Sequence, residues 1–222
     1  MCGGEKPLNN SFEFVSLFFS SDAEGKCQEL APLSYCREYV SLTGLSSVLL
    51  ALGGWCDANL KLCEKYVVTS NKWVPLPPLR VARHMPGSCL LPSKRAFCFC
   101  GSQGIGKDQN TIENLETELG KEWKTVALRQ RIAKTCDLGA VALKGKILLF
   151  GGVGYVWNKM YKLDEEGRLL EDLSGYSKIP GYMCSGVAIV VKGKVYAVGQ
   201  REFPDEQKWK PEVFDGSNWT LL

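Results

Sequence analysis

The sequence predicts an all-β fold assembled from repeated four-stranded antiparallel units, and three observations carry that prediction. Glycines recur at a near-constant period: Gly3-Gly4, Gly53-Gly54, Gly101-Ser102, Gly151-Gly152 and Gly199-Gln200 follow one another at 50, 48, 50 and 48 residues. Each complete instance ends a short apolar run, Val48 to Leu52, Phe97 to Cys100, Ile147 to Phe150 and Val195 to Val198, with the length and β-rich composition of a buried strand. The composition agrees, with 45% apolar and 23% charged residues and 23 glycines scattered over 222 positions, as expected of a turn-rich globular chain forming one large domain over 1–222.

The first two strands of each unit are read from the stretch upstream of the glycines. Ala140 to Leu143 meets the apolar run at Lys144-Gly145-Lys146, and Ala188 to Val191 meets it at Lys192-Gly193-Lys194; both are hairpins turning at a glycine. The third and fourth strands follow downstream, where an aromatic or apolar residue precedes a tryptophan: Tyr66 then Trp73, Leu115 then Trp123, Tyr161 then Leu169 or Leu170, Phe214 then Trp219. The chain divides into complete units at 31–76, 77–126, 127–176 and 177–222, preceded by 1–30, which holds the tail of an earlier unit.

These residues resemble the kelch repeat, whose unit of about 50 residues forms one four-stranded blade of a β-propeller. The resemblance implies that the diglycine ends the second strand, the aromatic lies on the third and the tryptophan on the fourth. Gly53-Gly54 with Tyr66 and Trp73 matches fully, Gly151-Gly152 with Tyr161 matches without the tryptophan, and Gly101-Ser102 and Gly199-Gln200 are degenerate copies. Glycine permits backbone angles and close approaches that a side chain forbids, while large aromatics fill the space between adjacent sheets. Turns that have lost a glycine therefore use ordinary angles or carry strain.

Four complete units and a fragment leave the closure of the ring open, because a sheet edge left bare recruits other strands. Residues 1–30 as a short fifth blade, an edge-mediated dimer, and a longer propeller truncated at its N-terminus all satisfy the pattern; a start beside Gly3-Gly4 favours truncation.

Several chemistries find little support. A net charge of +3, from 27 Lys and Arg against 24 Asp and Glu, is too balanced for specific nucleic-acid binding by the whole molecule. Apolar runs are strand-sized, far short of the roughly 18 residues of a membrane span, and Met1-Cys2-Gly3-Gly4 does not begin a secretory signal, so the expected location is cytoplasmic and the ten cysteines are expected as reduced core residues. His84 is the sole histidine and no C-x-x-C occurs, which argues against a metal site, a cofactor and a histidine relay. Gly101-Ser102-Gln103-Gly104-Ile105-Gly106 lacks the spacing of a phosphate loop. Asn9 and Asn218 begin glycosylation-like triplets that mean nothing without export.

Cations cluster in two equivalent connections, Arg80, Arg83 and His84 after Trp73, and Arg129, Arg131 and Lys134 after Trp123; from Leu79 to Lys134 ten Lys and Arg face five Asp and Glu. Arginines hold carboxylates and phosphates bidentately, so the expected function is a protein-interaction module or adaptor, not an enzyme, that recognises an acidic or phosphorylated partner segment through the loops of one face. The rival readings are a metal-free propeller enzyme acting on a small sugar-like molecule, and a structural protein that self-assembles.

Overall fold

The structure, a computed structural model, describes residues 30–35, 37–45, 47–56, 58–104, 110–126, 136–152, 160–173, 184–200 and 210–222. These form four antiparallel four-stranded blades of a propeller ring. The first contains β1 (Ser41–Leu45), β2 (Val48–Leu52), a minor hairpin of β3 (Trp55–Cys56) and β4 (Ala58–Asn59), then β5 (Cys63–Val67) and β6 (Lys72–Leu76). The second has β7 (Gly87–Leu90), β8 (Arg95–Phe99), β9 (Ile112–Glu116) and β10 (Lys124–Val126), and the third β11 (Leu138–Leu143), β12 (Lys146–Gly151), β13 (Met160–Leu163) and β14 (Leu169–Asp172). The fourth has β15 (Cys184–Val191), β16 (Lys194–Gln200), β17 (Lys210–Phe214) and β18 (Trp219–Leu221). In every blade the main strands pair in chain order from the inner edge outward.

Two-residue periodicity gives each blade an aromatic face and a far face, and the far face of one blade packs on the aromatic face of the next. Leu50, Leu52 and Cys63 of blade 1 meet Ala96, Leu115 and Trp123 of blade 2. Phe97, Phe99 and Ile112 of blade 2 meet Ile147, Leu149 and Leu163 of blade 3. Leu148 and Phe150 of blade 3 meet Val195, Phe214 and Trp219 of blade 4. Leu50, Leu52, Phe97 and Phe99 are fully buried, and truncating any one to alanine is expected to cost about 2–5 kcal/mol. In blades 1 and 2 the tryptophan indole also ties the outer strand to the connector entering that blade: Trp73 Nε1 donates to the Ala31 carbonyl at 2.8 Å and Trp123 Nε1 to the Pro77 carbonyl at 2.8 Å.

The inner strands β1, β7, β11 and β15 pack side by side in that sequence. Just ahead of the first three stand Tyr39, Met85 and Asp137, all with left-handed backbone (φ 52°, 50° and 62°). They are chained across blades: Met85 N donates to Tyr39 O at 3.0 Å and Asp137 N to Met85 O at 2.8 Å.

Strand register corrects the alignment of two repeat copies. Gly53 and Gly54 have φ of 65° and 114°, Gly151 and Gly152 have 69° and 108°, and the matching pair in blade 2 is Cys100 (52°) with Gly101 (88°), not Gly101 with Ser102. The same hydrogen bond marks the position: Gly53 N donates to Leu62 O, and Cys100 N to Thr111 O, each at 2.9 Å. Cysteine thus occupies a conformation that costs a side-chain-bearing residue roughly 1–2 kcal/mol. In blade 3 the place of Tyr66 is held by Leu163, which pairs with Ile147 as Tyr66 pairs with Leu49. Tyr161 instead stands where the other blades carry Glu64, Glu113 and Glu212, the partners of Ala51, Cys98 and Ala197. Gly3 and Gly4 lie outside the described residues.

Candidate functional site

Among the described residues, one rim of the propeller is built from the connectors that enter β1 and β7 and the loops that join β2 to β5 and β8 to β9. Arg83 lies in the connector between blades 1 and 2, and the structure places it inside the protein, its side chain 0% exposed. Its Nη1 donates to the carbonyls of Cys100 (2.6 Å) and Thr111 (3.1 Å), its Nη2 to Thr111 Oγ1 (2.9 Å) and Glu113 Oε1 (2.5 Å), and its Nε to Val81 O (3.3 Å). Glu113, equally buried, also accepts from the backbone N–H groups of Arg80 (2.6 Å) and Val81 (3.1 Å). A buried charge is tolerable only when paired and hydrogen-bonded in this way.

The backbone of the same residue binds the preceding blade. Arg83 O accepts from Gly54 N at 2.9 Å and Arg83 N donates to Leu60 O at 3.1 Å, so one residue staples the loop of blade 1 to the loop of blade 2. The approach requires glycine opposite: a Cβ on Gly53 would lie 2.5 Å from Arg83 O. Arg37 repeats the arrangement one blade earlier, its Nη1 donating to Gly53 O (3.0 Å) and Leu62 O (2.7 Å) and its Nη2 to Glu64 Oε2 (2.8 Å). Arg83 therefore has no surface to offer a partner, which corrects its expected role.

The other predicted residues fall differently. The Arg80 side chain is 55% exposed, with Nη1 3.5 Å from Glu122 Oε2 in a surface ion pair. His84 is half-buried, its ring 6.0 Å from that of Tyr39, and its backbone bridges Ser102. Arg129, Arg131 and Lys134 lie outside the described residues.

The residues missed from the sequence are aromatic. Tyr35 (57% exposed), Tyr39 (51%) and Trp55 (39%) stand on this rim, where Glu38 and Trp55 bridge the connector to the β2–β5 loop. A signal was available: an exposed aromatic in a connector has no inter-blade space to fill, unlike Tyr66 or Trp73.

Burial of the cysteines leaves them chemically quiet. Desolvation holds the Cys63 and Cys98 thiols up at about 12 and drives Cys89 higher still, so all three stay protonated and poorly nucleophilic at neutral pH. Among the described residues no three His, Cys, Asp or Glu side chains form a metal-binding group, and no helix is long and apolar enough to cross a membrane.

The blade architecture, with the glycine, aromatic and tryptophan positions of blade 1, resembles that of a kelch-type β-propeller. No family model matches the chain. Kelch-like protein 33 from Homo sapiens is 28% identical over 122 residues, 54% of this chain and 23% of that protein, so the match spans less than a quarter of the relative's length.

Proposed function

We propose that this chain is a protein-interaction module, acting as a binding platform or adaptor and not as an enzyme, and that it engages a partner segment through the rim carrying Tyr35, Tyr39, Trp55 and Arg80. The observation that supports this reading is the exposure of three large aromatics on one rim, fixed to a scaffold whose connectors are pinned by Arg37 and Arg83. Tyr and Trp supply rigid contact area at low entropic cost, and they dominate the energetics of protein interfaces. The similarity to a kelch-like protein supports the same class of function.

The partner chemistry best suited to this rim is acidic or phosphorylated. Arg80 lies in the connector between blades 1 and 2, with its guanidinium at Glu122, and the sequence carries Arg129, Arg131 and Lys134 between Val126 and Cys136. Protonated, buried thiols suit a reducing compartment, which supports a cytoplasmic setting. The partner chemistry is tested on an array of acidic, phosphorylated and neutral peptides read at rising salt. Retention of acidic and phosphorylated peptides that weakens with salt supports the reading, because exposed charge pairs are screened; binding indifferent to charge and salt removes the acidic-partner assignment.

A further inference from the structure

Three of the ten prolines fall within four residues, in the segment Val74-Pro75-Leu76-Pro77-Pro78-Leu79-Arg80 that ends β6 and leaves blade 1. Proline fixes its own φ and pushes the residue before it to extended backbone, and no residue of the segment has a left-handed φ. The composition is that of a polyproline II chain, with three residues per turn and so three ridges. Burial separates the ridges. Leu76 and Leu79 form one, and both pack in the core between blades 1 and 2, Leu79 at 1% exposure. Pro75 and Pro78 form the second and are exposed. Val74, Pro77 and Arg80 form the third, with Val74 37% and the Arg80 side chain 55% exposed and Pro77 half-buried.

We infer that Val74 to Arg80 is a docking segment for a partner domain of the SH3 type, whose aromatic-lined groove takes two ridges of a polyproline II chain and whose carboxylates take the arginine beyond it. Such a groove receives pairs of an apolar residue and a proline, here Val74-Pro75 and Pro77-Pro78, and leaves the residue after each pair facing away. Those two residues are Leu76 and Leu79, the ones the propeller buries. Propeller and groove therefore use opposite sides of one chain. The inward side also fixes the segment: Pro77 O accepts from Trp123 Nε1 at 2.8 Å, Leu79 N donates to Lys61 O at 2.8 Å and Arg80 N to Glu113 Oε2 at 2.6 Å. The ordering entropy of the ligand is thus already lost on folding. The Arg80 guanidinium meets only Glu122 at 3.5 Å, with the two side chains 55% and 71% exposed, and a pair of that kind is readily exchanged for a partner's carboxylate.

The repeat itself does not demand these prolines. Lys124 to Lys134, which follows Trp123 as this segment follows Trp73, contains none. The surface runs from the outer strand of blade 1 to its junction with blade 2. Tyr39 and Trp55 take no part in it, so the inference stands apart from the rim proposed above, with Arg80 alone common to both.

An array of purified SH3 and WW domains, titrated with the full chain up to about 300 micromolar, tests the inference. The variants are Pro75→Ala/Pro78→Ala and Arg80→Glu, compared with Tyr39→Asp/Trp55→Asp, and near-ultraviolet circular dichroism establishes that each keeps its fold. Binding of the wild type and of Tyr39→Asp/Trp55→Asp to at least one SH3 domain, weakened at least about tenfold by either substitution in the segment, supports the docking segment. No SH3 domain bound at any concentration, binding untouched by Pro75→Ala/Pro78→Ala, or binding confined to WW domains overturns it. So does binding that tightens in Gly53→Ala, where the new Cβ crowds Arg83 O, because the groove then takes the segment only from opened chain.

Discussion

Arg83 and Glu113 form an ion pair of 2.5 Å with both side chains fully buried, and they belong to different structural levels: the arginine to a connector between blades, the glutamate to the third strand of the blade it enters. The pair is where one blade is fastened to the next, and Arg37 with Glu64 repeats it one blade earlier.

Breaking that pair is expected to be costly. Arg83→Met leaves Glu113 charged and buried, and should lower unfolding free energy by about 3–5 kcal/mol, while Arg80→Ala, which removes an exposed ion pair, should cost no more than about 1 kcal/mol. Urea denaturation of the two variants checks the contrast. The double variant Arg83→Met/Glu113→Leu should lose less than the sum of its single substitutions, because no uncompensated charge remains.

Glycine is required at position 53 and tolerated loosely at 193. Both have left-handed backbone, at 65° and 75°, but a Cβ on Gly53 meets Arg83 O at 2.5 Å and a Cβ on Gly193 meets nothing within 4 Å. Gly53→Ala should therefore destabilise by more than the roughly 1–2 kcal/mol of conformational cost, and Gly193→Asn should be close to neutral. Thermal midpoints measured side by side distinguish the two positions.

Alkaline stability should report on the buried thiols. Cys63 and Cys98 titrate near 12 in the folded protein against an ordinary 9.0, chiefly through burial. Below about 9 both states hold the proton; above it the unfolded chain releases protons that the folded chain retains, so stability falls as pH rises from about 9 to about 12. Cys98→Ala should flatten the dependence of the urea midpoint on pH across that window. Thiol-reactive dye should reach Cys63, Cys89 and Cys98 only as fast as the protein opens; immediate labelling of the native state would contradict their placement.

Much of the architecture is legible in the sequence because its signals are local. The hairpins at Lys144-Gly145-Lys146 and Lys192-Gly193-Lys194 place two strands each, and the spacing from Tyr66 to Trp73 places the outer pair. Register in blade 2 is less accessible: Gly101-Ser102 imitates a diglycine, while the backbone uses Cys100 and Gly101 for that turn. A sequence shows which residue tolerates a left-handed angle, not which is made to adopt one. The burial of Arg83 is hidden from the sequence for a related reason. A cation in a connector reads as surface charge unless its carboxylate is known to lie in the next blade, and only the recurrence of Arg37 with Glu64 and Arg83 with Glu113 along the chain hints at that. Tyr39 and Trp55 escaped notice because aromatic residues in this repeat ordinarily fill the space between blades.

The most direct measurement of the central claim is quantitative affinity capture from cell lysate with three forms of the chain: wild type, Tyr39→Asp/Trp55→Asp on the proposed rim, and Val68→Asp/Leu119→Asp on the opposite one, where both native residues are exposed. The account predicts that proteins retained by the wild type are retained by the opposite-rim variant and lost, by about tenfold or more, from the Tyr39/Trp55 variant when all three unfold at similar urea concentrations. Equal retention by all three forms, or loss confined to the Val68/Leu119 variant, would contradict it.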